Sequence, residues 1–303
     1  MPPILTKSHV EKLPRGGYNI RMISTARVQV PATSANLGPG FDALGVALCL
    51  SNTVTVMRTE SPSPDAMADE AAATFFSASG VEPFAFSWEI QGDVPRSRGL
   101  GSSVTVRLGL LHGLNLLADA PLNSQALYRL CAKLEGHPDN AAPAAFGGFT
   151  VARPDGSYQR FDVDESLKFV LLIPDYEVRT ADARRVLPKE IPFADAVRSA
   201  ANAAAIAAAF AARQYESLPG CFDDYLHQPY RATLVPGLDA VLAAGVKAGA
   251  IGGWLSGSGS TMACITQGDA DVVAAAMLAA HAQPGAKVVT TVANNCGVTA
   301  AGE

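Results

Sequence analysis

The chain contains no Cys-x-x-Cys pair, no G-x-x-x-x-G-K-[ST] loop and no G-x-G-x-x-G fingerprint behind a strand. Its five cysteines, Cys49, Cys131, Cys221, Cys264 and Cys296, form an odd, scattered set, which argues against a disulfide frame or a zinc site and for reduced thiols in a cytoplasmic protein. The two missing glycine motifs remove support for Walker-type and dinucleotide-binding folds. A basic stripe is also lacking: 23 Lys and Arg stand against 28 Asp and Glu, a net charge of -5, so no nucleic-acid partner is expected. Nor is there an apolar run able to span a bilayer. The longest, residues 200–212, is dominated by alanine, carries Asn202 and is bounded by Arg198 and Arg213, so it reads as a packed helix and no membrane is implied. There is no internal repeat and no secretory pattern, because residues 10–17 are polar.

What the chain does have is glycine set beside hydroxyls. Residues 95–103 read Pro95-Arg96-Ser97-Arg98-Gly99-Leu100-Gly101-Ser102-Ser103 and lead into residues 104–118, where Val106, Leu110, Leu114 and Leu117 recur at helical spacing. Glycine lets backbone approach an anion closely, and the free N–H groups at a helix start favour negative charge, so the segment suits a polyphosphate. A loop whose glycines merely turn the chain is the alternative reading of this string taken alone.

Three companions change that balance. Residues 31–42, P-A-T-S-A-N-L-G-P-G-F-D, follow an alternating strand-like run and hold Asn36 and Asp42 in a loop stiffened by two glycines and two prolines. A helix cap at Asp42 and a turn closed by Asn36 are the structural alternatives. Residues 135–140, E-G-H-P-D-N, end a helix expected over residues 124–134 and gather Glu135, His137, Asp139 and Asn140 within six positions, a density that suits a magnesium ligand beside a substrate-orienting group. Residues 255–261, L-S-G-S-G-S-T, form a second glycine-rich turn around Gly257 and Gly259, between an apolar run and a strand expected over residues 262–266.

In this order the motifs resemble those of the GHMP kinase superfamily, from about residue 25 to about residue 266. The forms taken by residues 31–42 and 135–140, with the arginine-bearing segments 180–188 and 227–237, are most similar to its homoserine kinase family. The resemblance implies that Pro95, Arg98, Gly99, Leu100, Gly101, Ser102 and Ser103, with Gly257 and Gly259, bind ATP, and that Ser103 and Glu135 hold Mg²⁺. It implies that Arg184 and Arg231 grip an amino acid carboxylate, for which a planar fork is better suited than a lysine. Asn36, Asp42, His137 and Asn140 would surround the rest of the acceptor, and Asn36, Asp42, Glu135 and Asp139 are the catalytic candidates, Asp139 being the candidate base. The implied reaction is transfer of the γ-phosphoryl group of ATP to the hydroxyl of L-homoserine in threonine biosynthesis. A kinase for another small hydroxy acid, or a non-catalytic relative, are the alternatives. A homodimer is the family-level expectation.

Two departures from the family pattern stand out: Val104 and Thr105 replace small alanines after Ser103, which would narrow phosphate access, and Ser260 stands where proline is usual. Strands followed by helices give an α+β pattern. The resemblance implies an N-terminal domain of the ribosomal-protein-S5-domain-2 type and a ferredoxin-like C-terminal domain, with the active site between them. The expected division is an N-terminal extension over residues 1–22, read as a disordered arm or a mis-called start, an ATP-binding domain over 23–157 and a second domain over 158–303.

Overall fold

The computed structural model describes residues 24–61 and 65–302; the extension expected over residues 1–22 lies outside the described residues. In chain order the elements are β1 (Thr25–Ala35), β2 (Leu44–Arg58), α1 (Ala66–Ser79), β3 (Phe86–Gly92), α2 (Ser102–Leu117), α3 (Ser124–Glu135), α4 (Ala141–Phe146), β4 (Phe149–Ala152), β5 (Tyr158–Phe161), β6 (Lys168–Ile173), α5 (Thr180–Arg185), α6 (Phe193–Ala212), α7 (Gln228–Arg231), α8 (Leu238–Lys247), β7 (Gly252–Leu255), β8 (Met262–Thr266), α9 (Ala270–Ala280), β9 (Lys287–Thr291) and β10 (Thr299–Gly302).

β1 begins by alternation: Ala26, Val28 and Val30 are buried while Arg27 and Gln29 face out. Beyond Pro31, where the register with β2 shifts, every residue to Ala35 is buried. The bulge falls where proline removes a ladder donor. The 15-residue β2 pairs along one side with β1 and shares its other side between β4, at Leu44–Val46, and β3, at Asn52–Arg58. β5 and β10 complete this sheet at its two edges. Helix α2 lies across β1 and β2 and buries Val104, Leu108, Leu111 and Leu114 against Val28, Val54 and Val56. That packing aims its N-terminus at the loop between β1 and β2.

The second sheet runs β7-β8-β6-β9, antiparallel throughout. The order β6-α8-β7-β8-α9-β9 is the β-α-β-β-α-β arrangement of a ferredoxin-like domain, into which α5, α6 and α7 are inserted after its first strand. A shared core joins the two sheets: Leu44, Val46 and Phe149 of the first, with Leu100 of the loop before α2, pack with Phe169, Trp254 and Ile265 of the second and with Phe210 of α6. Phe149 stacks on Phe210 at 4.3 Å, and the Trp254 indole N–H donates to Ser34 Oγ at 3.0 Å.

Two short strands cross the division expected at residues 157 and 158. β5 pairs with β4 and β10 with β1, so both belong to the first sheet although they follow residue 157. β5 joins β4 through a tight hairpin, whereas β10 reaches β1 by a long-range closure of the sheet edge that no local pattern carries. Val104 and Thr105 also depart from expectation, since both are buried and Thr105 Oγ1 donates to Ser102 O at 2.8 Å. They face the core, and neither lines the cleft at the helix start. No helix of the described residues is long and apolar enough to cross a membrane.

Candidate active site

Three loops meet at the N-terminus of α2. In the loop preceding it, Ser97, Gly99 and Gly101 all adopt left-handed backbone, with φ of 52°, 73° and 69°. A Cβ on Gly99 would lie 2.0 Å from Ser256 O, and one on Gly101 2.1 Å from Thr33 Oγ1, so both positions require glycine for space as well as for φ. The carbonyls of Ser97, Arg98, Gly99 and Leu100 accept from Val178 N, Thr261 N, Ser256 Oγ and Thr33 N at 3.2, 3.1, 2.7 and 3.2 Å. The scaffold therefore holds the acceptors of this loop and leaves its donors. Among the described residues, nothing accepts from the amides of residues 99–104, and α2 has no side-chain cap. Such a row of unpartnered N–H groups at the positive end of a 16-residue helix suits an anion.

The loop between β1 and β2 carries left-handed Asn36, Leu37 and Asp42, at φ of 72°, 46° and 56°. Non-glycine residues there are strained and persist only when their surroundings hold them. Asn36 supplies the hold. Its Oδ1 accepts from Asp42 N at 3.1 Å and its Nδ2 donates to Gly257 O at 2.9 Å, tying this loop to the third, around residues 256–261.

These loops floor a cleft of about 690 Å³ lined by Asn36, Asp42, Gly99, Gly101, Ser102, Ser103, Glu135, His137, Asp139, Asn140, Arg184, Arg231 and Gly257. Most of the residues singled out from the sequence thus converge. Near the helix start, Ser103 Oγ donates to Glu135 Oε2 at 2.8 Å, while Arg107 Nη1 holds Glu135 Oε1 at 3.0 Å. Hydroxyl and carboxylate oxygens side by side, open to the cleft, are the donor set a hard cation takes, so these residues fit Mg²⁺.

At the other end, Asp42, His137 and Asp139 offer donor atoms within 4.8 Å of one another. His137 Nδ1 lies 2.6 Å from Asp139 Oδ1, which also accepts from Asn140 N at 3.0 Å. Burial works against a charged His137, but the Asp139 hydrogen bond and the charges of Asp139 and Asp42 outweigh it and raise its pKa. Arg184 forms a bidentate pair with Asp42 at 2.8 and 3.1 Å. Arg231 is different. It is 2% exposed, donates to Ala183 O at 3.1 Å and Gly257 O at 3.0 Å, and has no carboxylate within 4 Å among the described residues. Burial, with repulsion from Arg184, pushes its pKa down to about 10. Asp42, Asp139 and Asp224 attract it only from beyond ion-pair distance, and a buried cation whose direct partners are neutral suits an anion.

Some sequence-singled residues sit elsewhere. The Arg98 side chain turns away from the cleft, donating to Pro174 O at 2.9 Å and pairing with Asp175 and Glu177, because the 174–177 segment supplies a carbonyl and two acids on that side. Leu100 is fully buried in the shared core, and Pro95 and Gly259 stand outside the cleft lining. Sequence reading missed Ser97, Val178, Thr180 and Ser258 in the lining, and a neighbouring recess walled by Met67, Trp88, Ile90, Val94 and Val106 that reaches Ser102 and Ser103. The alternation of Phe86, Trp88 and Ile90 was the available signal for its wall.

Residues 66–148 match the family model of the GHMP kinases N terminal domain, and residues 193–283 that of the GHMP kinases C terminal. The homoserine kinase of Halothermothrix orenii is 36% identical over 294 residues, covering 89% of this chain and 94% of its own length. That of Synechococcus sp. is 41% identical over 273 residues, covering 83% and 89%. Among solved structures, the homoserine kinase from Cytophaga hutchinsonii aligns with a TM-score of 0.85 at 25% identity, over 94% of this chain and 99% of that one. The mevalonate kinase of Methanococcus jannaschii, at 14% identity and a TM-score of 0.68 over 93% of this chain and 100% of its own, shares the fold.

Proposed function

The chain belongs to the GHMP kinase family, and on that premise we propose that its cleft carries the γ-phosphoryl group of ATP to the side-chain hydroxyl of L-homoserine, giving O-phospho-L-homoserine. The observation that carries the reading is that one cleft pairs the unpartnered amides of residues 99–104 with the buried, carboxylate-free guanidinium of Arg231. One end receives a polyphosphate and the other a small carboxylate.

The β- and γ-phosphates lie along the amides from Gly99 to Ser103, and the adenosine extends into the apolar recess beside Trp88 and Ile90, which adjoins Ser102 and Ser103. Ser103 and Glu135 hold the Mg²⁺, whose charge, when bound, offsets that of the phosphates. Arg231, with Arg184, takes the acceptor carboxylate, and Asp42 takes its ammonium group. Asp42 and Arg184 neutralise each other, and a zwitterion satisfies both when it enters between them. Asn36 fixes the loop that presents Asp42, and its amide is already engaged at both ends.

Phosphoryl transfer through a loose transition state needs placement and charge neutralisation more than a strong base. Asp139 accepts from His137 and from the Asn140 amide, so we assign it the orientation of His137 at the acceptor hydroxyl rather than removal of a proton. Free cysteines and ATP as donor suit a cytoplasmic enzyme, and a homodimer is the assembly we expect. The test is acceptor-dependent ADP release with L-homoserine, L-threonine, L-serine, mevalonate and no acceptor. Saturable turnover with L-homoserine, well above the others, supports the reading; equal slow turnover with every acceptor rejects it.

A further inference from the structure

Phe41 and His227 have no part in either end of the reaction, yet both arginines of the acceptor end rest on them. The Phe41 ring lies 5.5 Å from the Arg184 guanidinium carbon and 5.0 Å from that of Arg231, and its other neighbour is the His227 ring, stacked at 5.1 Å and 29°. His227 is fully buried. Its Nε2 lies 2.8 Å from Gly38 O, and a carbonyl only accepts, so Nε2 carries the proton; Asp224 Oδ2 is 3.4 Å from the same nitrogen. Its Nδ1 lies 3.3 Å from Arg231 Nη1, which only donates, so Nδ1 keeps its lone pair. The imidazole is thus a neutral relay whose donor end is anchored to the β1–β2 loop and whose acceptor end faces the arginine. Burial and the Arg231 cation push its pKa down to about 4 against the pull of Asp224, which keeps it in that form.

Two guanidinium groups of like charge repel, and long side chains lose rotamer freedom when fixed. A ring whose face attracts both cations, backed by an acceptor for one of them, offsets those costs where carboxylate recognition needs the pair fixed. We propose that Phe41 and His227 are positioning residues for the acceptor end: the Phe41 ring seats Arg184 and Arg231, and Nδ1 of neutral His227 sets the orientation of Arg231. The inference rests on the acceptor reading given above and goes beyond it in assigning the support.

The two histidine amide variants separate this role from a purely structural one. In His227→Asn the side-chain oxygen can stand near the Nδ1 position, whereas in His227→Gln the amide reaches the Nε2 position and Arg231 loses its acceptor. Steady-state kinetics on the full chain should show the KM for L-homoserine rising about 10- to 100-fold in His227→Gln and Phe41→Leu, the scale of losing one charge-assisted contact, with kcat and the KM for ATP within about 3-fold. His227→Asn and Phe41→Tyr should stay within about 5-fold of the parent. With 3-aminopropan-1-ol, which lacks the carboxylate, parent and variants should turn over alike. The proposal is overturned if the KM for ATP climbs in parallel, if His227→Gln is milder than His227→Asn, or if 3-aminopropan-1-ol suffers the same loss. Should His227→Gln fail to fold by its thermal unfolding profile, the Phe41→Leu and Phe41→Tyr pair decides between the same outcomes. A parent enzyme that does not prefer L-homoserine to 3-aminopropan-1-ol removes the acceptor reading itself, whatever the variants do.

Discussion

Replacing Arg231 with methionine should abolish acceptor recognition while leaving the fold nearly as stable as before. The guanidinium is 2% exposed, and the fall of its pKa to about 10 corresponds to about 3 kcal/mol against the charged form at neutral pH. Its contacts with Ala183 O, Gly257 O and His227 Nδ1 return about 1 kcal/mol each, so the two contributions nearly cancel. Methionine fills a similar volume without the charge, and the unfolding midpoint should move by no more than about 4 °C. Losing the partner of a desolvated carboxylate costs about 2–5 kcal/mol, which predicts a fall in kcat/KM for L-homoserine of about 30- to 4,000-fold with the KM for ATP nearly unchanged. Differential scanning fluorimetry and coupled ADP release measure the two halves. A drop in midpoint beyond about 10 °C, or equal losses toward ATP and acceptor, would show that Arg231 is a structural cation and refute the reasoning.

Gly101→Ala should act on the nucleotide side. A Cβ there meets Thr33 Oγ1, which itself donates to Asn140 Oδ1 at 2.7 Å, and alanine resists the left-handed backbone by about 1–2 kcal/mol. The KM for ATP should rise by about 10-fold or more, and an unchanged value would disprove an amide-lined phosphate site. Glu135→Ala should raise the magnesium concentration needed for half-maximal turnover and lower kcat by about 10- to 100-fold, because Ser103 loses the carboxylate beside it; an unaltered magnesium dependence would free Glu135 of that role. Acid should destabilise the protein through His112 and His227, both pushed down to about 4, chiefly by burial. Their folded pKa lies below the unfolded value of 6.5, so the stability they contribute is complete above pH 6.5 and is lost as pH falls toward 4, each at up to about 1.4 kcal/mol per pH step. Unfolding midpoints between pH 7 and 4.5 should fall, and His112→Asn should flatten the slope; a flat profile in the parent chain would contradict this.

Where chemistry is local, the sequence was readable. Two glycines and two serines ahead of a helical run announce free amides, because φ, space and helix polarity are all decided within a few residues. Glu135, His137, Asp139 and Asn140 were readable for the same reason, since one turn after α3 delivers them together. What could not be read is which polar groups the scaffold uses up. Asn36 gives its Nδ2 to Gly257 O, 221 residues away, Arg98 turns to Pro174 O at a separation of 76 residues, and Leu100 buries its side chain in the core the two sheets share. The return of β10 to the first sheet has the same origin: it finds β1 across almost the entire chain, and only the assembled sheet shows that edge to be open. Phe41 sat inside a motif already singled out, but its meaning depends on His227, Arg184 and Arg231 arriving from other elements.

The most direct test is a crystal structure with a non-hydrolysable ATP analogue and L-homoserine bound together. The account predicts the γ-phosphate within hydrogen-bonding distance of the amides of Gly101 to Ser103, the amino acid carboxylate on Arg231, and the side-chain hydroxyl facing the phosphate. A triphosphate that leaves those amides untouched, or an amino acid whose carboxylate lies away from Arg231, would contradict it.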